Sequence, residues 1–249
     1  MILTIAHKEL RGMFSSPSTW IIFGGLQFIF AWFFLARLDA FLQLQSQLAQ
    51  LLNAPGATQS VAAPLLGTLA FIMMMLVPVF TMRLIAEERR NQTLVMLMAA
   101  PVKNLEIVLG KFLGLLLFLS LLIIACILML LTLTLGTHLD FGLLLSNAVG
   151  LFLLTACYAA MGLYISTLTV QPIMAATGTL ALLFGLWLLD IAGSSTSVFL
   201  KALSPTVHFQ NFNTGLMLSQ DFAYFLLCTG ICLLLAIRRL HNTRIYGNS

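Results

Sequence analysis

Two apolar runs, residues 64–84 and 105–135, flank the densest charge in the chain, Glu87-Glu88-Arg89-Arg90. Crossing a bilayer takes roughly 20 apolar residues rising about 1.5 Å each, and both runs are long enough. A charge at the centre of a spanning helix costs roughly 2.5–3.5 kcal/mol, so four together cost on the order of 10 kcal/mol or more. The quartet therefore lies in water, between two crossings. After it Leu94, Leu97 and Met98 fall at i, i+3 and i+4, the stripe of a short amphipathic helix, with Asn91 as N-cap and Pro101 as stop. An element of this kind passes movement from a soluble partner into the membrane. An ordinary solvated loop is the plainer alternative.

The rest of the chain repeats the pattern. Of 249 residues 60% are hydrophobic and 8% charged, with mean hydropathy +1.03, against about 25% charged residues in soluble proteins. Six spans are expected, at about 20–38, 64–84, 105–135, 141–165, 173–191 and 222–237. The fold class is thus an all-α polytopic membrane protein, a single transmembrane domain over 1–249. His7, Lys8, Glu9 and Arg11 precede the first span with no A-x-A-like site after it, so no removable signal peptide is expected. Cys126, Cys157, Cys228 and Cys232 all fall in apolar runs and read as small buried hydrophobes.

Residues 1–19 are expected to form an interfacial helix, with Ile2, Ile5, Ala6 and Met13 on the apolar face and Lys8, Glu9 and Arg11 on the other. Ser15-Ser16-Pro17-Ser18 breaks it, and Trp20 anchors the start of span 1 at the interface. Residues 40–63 extend span 1 as a helix before Asn53-Ala54-Pro55-Gly56 turns the chain. Span 2 carries Met73-Met74-Met75 and Pro78, the latter a candidate kink. Span 3 exceeds a hydrocarbon core of about 30 Å, so its first turns, with Glu106 and Lys111, are expected to project from the membrane. Gly110 and Gly114 make a small-xxx-small face for close helix contact. Gly110-Lys111 is not the end of a phosphate loop: GxxxxGK needs glycine at 105, where Leu105 stands, and a strand before it.

A short connection, 136–140, leads to span 4, and the uncharged 166–172 joins spans 4 and 5. Within 193–220, residues 193–197 read as a loop. Two short amphipathic pieces follow, one with Phe199, Leu200 and Leu203 and the other with Phe209, Phe212 and Leu216, parted by Ser204-Pro205. Both are too short to span and too apolar for free solution, so they lie in the interface or re-enter part-way. Phe209, Phe212 and Leu216 are candidate outer-gate residues. The tail 238–244 closes the chain after span 6.

Charge sets the orientation. With six spans, Lys8, Arg11, Arg83, Arg89, Arg90, Lys103, Lys111, Arg238, Arg239 and Arg244 share one side, ten of the twelve basic residues, and only Arg37 and Lys201 the other. That imbalance puts both termini and the 85–104 segment in the cytoplasm, and it reports topology and lipid contact rather than nucleic acid. Other chemistry is sparse. His7, His138, His208 and His241 are dispersed over both sides, and no H-E-x-x-H or G-x-S-x-G occurs. Asp190, at a span end, is the one acid near a span core, which disfavours a proton-coupled carrier. His208, Asn211 and Asn213 read either as substrate contacts at an outer gate or as a hydrated loop.

The run AEERRNQTLVMLMAAPV, with IVLGKFLG at 107–114, resembles the membrane subunits of type-2 ATP-binding-cassette (ABC) exporters. It is most similar to the branch of gliding-motility-associated and nitrous-oxide-reductase-maturation permeases. HKELRGMFSSP before span 1, STLTVQPIMA between spans 4 and 5, and LSPTVHFQNFNTGLMLSQDFAYFL before span 6 extend the likeness over essentially the whole chain. The resemblance implies a permease that is half of a transporter in a bacterial inner membrane, paired with an identical or related chain. It also implies separate ATPase subunits that hold the ATP and magnesium, leaving this chain without cofactor, metal or catalytic residue. The segment between spans 2 and 3 would be a coupling helix over 87–100, docking through Glu87, Glu88, Arg89, Arg90, Thr93, Leu94 and Leu97. Many relatives place glycine before the threonine and an acid two residues after it; here Gln92 and Val95 stand there. ATP-driven closure of the ATPases would push this helix, with span 3 as lever, and open the interface between the halves.

Three classes follow: an exporter's membrane subunit, an ATPase-linked scaffold driving an envelope process without transport, and a secondary transporter or membrane-embedded enzyme. An ATPase bound to 83–101 separates the first two from the third. Transport in proteoliposomes separates the first from the second.

Overall fold

A computed structural model describes residues 1–48, 56, 58–92, 103–136, 139–196 and 202–246. It contains helices α1 (Ile2–Ser15), α2 (Pro17–Leu48), α3 (Ala63–Leu84), α4 (Ala86–Arg90) and α5 (Asn104–Leu131). Then come α6 (Phe141–Leu168), α7 (Pro172–Thr196), α8 (Pro205–Asn213) and α9 (Ser219–Tyr246). A π-helical turn, Thr58–Ala62, leads into α3, and a 3-10 turn, Thr132–Leu135, ends α5. The described residues are helices and their connections, with no strand among them. Six helices are long and apolar enough to cross a membrane, so the chain is a multi-pass membrane protein with both ends of the bundle defined by its turns.

The centre is α6. Of its most apolar stretch 67% is buried, against 17% for the corresponding stretches of α2, α7 and α9, and it packs against α3, α5, α7, α8 and α9. Small residues explain why this helix took the middle. Lipid tails give helices no hydrophobic reason to associate, so close backbone approach and van der Waals contact decide. Ala156, Ala159, Ala160 and Gly162 supply that approach, and all four are buried. At Gly162 a Cβ would lie 2.8 Å from Thr81 Cβ on α3, and at Gly150 it would lie 2.5 Å from Phe212 Cβ on α8. Asp140 starts the helix as its N-cap, its Oδ1 accepting from Gly142 N at 2.9 Å and Leu143 N at 3.3 Å.

Several boundaries move from those expected. α7 continues through Gly193 to Thr196, where a loop was expected. α6 runs to Leu168 rather than 165, and α9 takes in residues 219–221 and most of the basic tail. A run of the two periodicities sees only where apolar residues stop; a helix held by neighbours keeps its own hydrogen bonds beyond that point. Pro78 lies inside α3, which is assigned as one uninterrupted helix.

The face of α1 also differs from expectation. Ile2, Ile5, Glu9 and Met13 are half-buried and Ala6 is buried, so Glu9 lies on the inward face and not on the polar one. Spacing accounts for it: Glu9 sits one turn beyond Ile5 and two beyond Ile2. α1 lies along α5, where a Cβ at Gly110 would meet Ile5 Cβ at 2.7 Å and one at Gly114 would meet Ala6 O and Glu9 Cβ at 2.9 Å. Trp20 Nε1 donates to Phe14 O at 2.8 Å, closing the corner between α1 and α2.

Candidate coupling site

The charged quartet folds into α4, a single helical turn set off from α3 by a break at Ile85. Its sequence suits a helix of that size, with Glu87 and Glu88 in the first turn and Arg89 and Arg90 in the last, matching the helix dipole at both ends. A helix this short does not stand by its own hydrogen bonds. Neighbours hold it. Ser166 Oγ, near the end of α6, accepts from Ile85 N at 3.3 Å and Ala86 N at 3.0 Å, satisfying amides that have no partner inside the helix. Arg89 Nη1 donates to Thr167 O at 3.1 Å, placing positive charge on the carbonyl end of α6. Burial lowers the pKa of the Arg89 guanidinium from its ordinary value, and the charge of Arg239 on α9 lowers it further.

The strongest tie runs through Lys111. This side chain is 1% exposed, and its Nζ donates to Glu9 Oε1 and Glu88 Oε1, each at 2.7 Å. Lys111 was expected to project into water. Instead α1 and α4 cover it, and the two carboxylates replace the water that a buried ammonium loses. Gly110 and Gly114 bring the α1 backbone close enough for Glu9 to reach. Three parts of the chain far apart in sequence, α1, α4 and α5, therefore meet on one ammonium. Beside them a cavity of about 270 Å³ opens between α1, the end of α3 and α4, lined by Lys8, Glu9, Arg83, Glu87 and Glu88 among others.

Of the expected coupling residues, Glu88 and Arg89 turn inward, Glu87 lines the cavity, and Arg90 is exposed. Thr93, Leu94 and Leu97 lie outside the described residues. Asn91 does not open a helix: it is the C-cap of α4, and Gln92 follows with φ +57°, a left-handed turn. Lys111, Glu9, Ser166 and Thr167 were not singled out from the sequence as members of this site. The helical register of Glu9 against Ile2 and Ile5, and the glycines bracketing Lys111, carried the signal.

At the opposite end of the bundle Phe209 and Phe212 of α8 are buried, while Leu216 lies past the turn at Gly215 and is exposed. The three are not brought together. Phe212 stands against Gly150 and meets Phe222 edge-on, with centroids 5.1 Å apart. His208 and Asn211 are half-buried and hydrogen-bonded within the bundle. His208 Nδ1 pairs with Asp221 Oδ1 at 2.5 Å, its Nε2 faces Ala202 O at 3.0 Å, and Asn211 Nδ2 donates to Asp221 Oδ2 at 3.0 Å. Asp221, 2% exposed, is thus a buried acid that the sequence reading did not single out.

Residues 3–242 match the family model described as "ABC-2 family transporter protein". No curated protein matches the chain.

Proposed function

Because the chain belongs to the ABC-2 family of transporter proteins, we propose that it is the transmembrane subunit of an ATP-driven exporter, coupled to separate ATPase subunits through the segment from Glu87 to about residue 100. The family makes it a membrane component of an ABC transporter and not itself the ATPase. Two such subunits, identical or related, form the path; both termini and the coupling segment face the cytoplasm of a bacterium, on the charge imbalance above. ATP and magnesium belong to the partner. Within the family, the AEERRNQTLVMLMAAP pattern favours the gliding-motility and nitrous-oxide-reductase-maturation branch.

The observation that carries this reading is the attachment of α4. A surface loop has no need of a buried ammonium, but an element that must move its neighbours does. Force delivered to α4 reaches α5 and α1 through Glu88–Lys111–Glu9, and reaches α6 through Ser166 and Thr167. α5 is the long span that acts as lever, and α6 is the centre of the bundle. Arg90, pointing outward, is available to steer the ATPase, with Leu94 and Leu97 filling an apolar groove on it.

Leu97→Asp tests the docking. The variant should insert and fold normally yet lose co-purified ATPase and its activity, since a desolvated carboxylate in an apolar groove costs several kcal/mol. Undiminished ATPase recovery would refute the assignment. Full ATPase activity in proteoliposomes without movement of any substrate would instead mark the chain as a scaffold that transmits motion.

A further inference from the structure

Opposite the termini, a second cavity of about 220 Å³ is enclosed by α3, α6, α7 and α8. One end is apolar, walled by Phe71, Met74 and Trp187, with the rings of Phe71 and Trp187 5.7 Å apart. The other end carries Thr206, Gln210 and Asn213 from α8. No charged side chain among the described residues lines it. Asn213 Oδ1 is fully buried and accepts no hydrogen bond. Buried amide oxygens are nearly always partnered, so this one is an acceptor left for something else. Asn213 also borders an adjoining cavity of about 290 Å³ with Gln59 and Thr214 in its wall, so the polar end lies where the bundle turns from apolar to polar.

We propose that this cavity binds the uncharged, hydroxyl-bearing end of a lipid-like amphiphile, with a hydroxyl donating to Asn213 Oδ1 and the first part of the acyl chain against Phe71, Met74 and Trp187. Size sets the extent of what enters. A cavity of about 150 Å³ takes a benzene ring, so this one takes a head and a short stretch of chain, with the remainder in lipid. Chemistry sets the class. A phosphate or carboxylate head would be desolvated here with no cation in the lining and with the Asp190 carboxylate 3.4 Å from Gln210 Nε2. A quaternary ammonium has no proton to give Asn213 Oδ1, whereas a glycerol-like head exchanges water for hydrogen bonds of similar strength. Phe71, 41% exposed, places the apolar end at the bundle's outer surface, where a chain enters from the bilayer. The inference rests on the exporter reading only in making the ligand a candidate substrate; binding itself needs no ATPase.

The full-length protein in phosphatidylcholine nanodiscs is irradiated with three diazirine probes sharing one acyl chain: a monoacylglycerol, the free fatty acid and an alkyltrimethylammonium. Mass spectrometry should find the monoacylglycerol on residues 67–74 and 206–213 at a yield at least about fivefold that of either charged probe. Asn213→Leu, similar in volume, should cut the monoacylglycerol yield itself by about fivefold, the factor of one net hydrogen bond, and leave the charged probes unchanged. Gly67→Leu, which points its new side chain toward Asn213 with space of 3.9 Å at the Cβ, should block labelling by all three probes. Equal labelling by the three in the parent protein would reveal ordinary lipid contact and overturn the proposal. So would a monoacylglycerol yield left unchanged by Asn213→Leu. Because no nucleotide is present, failure here is distinct from failure to capture an ATPase on the coupling segment.

Discussion

The two ends of this bundle are held by different physics. At the terminal end, charged groups from four elements converge: Lys111 on Glu9 and Glu88, Arg89 on a backbone carbonyl, and a cavity whose wall includes Lys8, Arg83 and Glu87. At the far end a single buried acid, Asp221, is tied to His208 and Asn211, and packing does the rest of the holding. Phe212 fills the space that Gly150 leaves open, Phe222 meets it edge-on and Phe225 at a tilt, and no charged side chain among the described residues lines the cavity beside it. Ion pairs act across gaps that packing leaves, so here they tie the single turn of α4 to α1 and α5. Packed aromatic groups have short reach and tolerate no gap. Charged ties suit an end that is to follow the movement of α4, as the coupling proposal requires; gap-free packing suits an end that is to stay closed.

Breaking the hub should give the largest effect. Lys111→Met leaves Glu9 and Glu88 facing one another without their cation. Removal of one partner of a buried pair costs about 3–5 kcal/mol, and the low end applies because the carboxylates are 17% and 18% exposed. Thermal unfolding in detergent should fall accordingly, with α1 becoming open to protease first. Adding Glu9→Gln and Glu88→Gln to Lys111→Met should restore most of the loss, since the unfavourable term is the uncompensated charge. A triple variant as unstable as the single one would mean that Lys111 acts through packing alone. At the far end the corresponding lesion is Gly150→Val. Its side chain displaces Phe212, whose Cβ and Cγ lie 2.5 and 2.7 Å from the position of a new Cβ, at a cost of about 1–3 kcal/mol. That variant should lower the unfolding midpoint while leaving ATPase capture intact, whereas Lys111→Met should diminish both.

Sequence made one end far more legible than the other. Six long apolar helices and the break at the charged quartet follow from hydropathy and the cost of burying charge. Pairing does not. Periodicity says that Glu9 shares a face with Ile5, but only tertiary contact says that α5 and its Lys111 lie opposite. Ser166 and Thr167 looked like an uncharged connection because the use of a hydroxyl as a cap depends on what stops above it. Asp221 and His208 were hidden for the same reason: they are 13 residues apart, and a turn between helices brings them together. One local departure was visible from the residues. Gln92 stands where the resemblance implies glycine, and its φ of +57° is the conformation glycine adopts freely. A left-handed residue with a Cβ costs roughly 1–2 kcal/mol. Gln92→Gly should therefore raise stability by about 1 kcal/mol, less what the added freedom of the unfolded chain returns. An unchanged or lower midpoint would show that the Gln92 side chain has contacts that offset the strain.

The smallest expected change in stability separates holding from docking within α4 itself. Arg89 and Arg90 are neighbours of one type, yet the first is half-buried with its guanidinium on Thr167 O and the second is exposed. Arg89→Ala removes the donor from a carbonyl near the end of α6 and should cost about 1–2 kcal/mol, the range for a hydrogen bond with one charged partner. Arg90→Glu touches no described contact and should shift stability by less than about 0.5 kcal/mol. If α4 faces an ATPase, however, reversing that charge changes the electrostatics of encounter, so ATPase capture should drop and become more dependent on salt. Equal capture by Arg90→Glu and the parent protein at low ionic strength would move the docking surface off α4 and onto the residues that follow it.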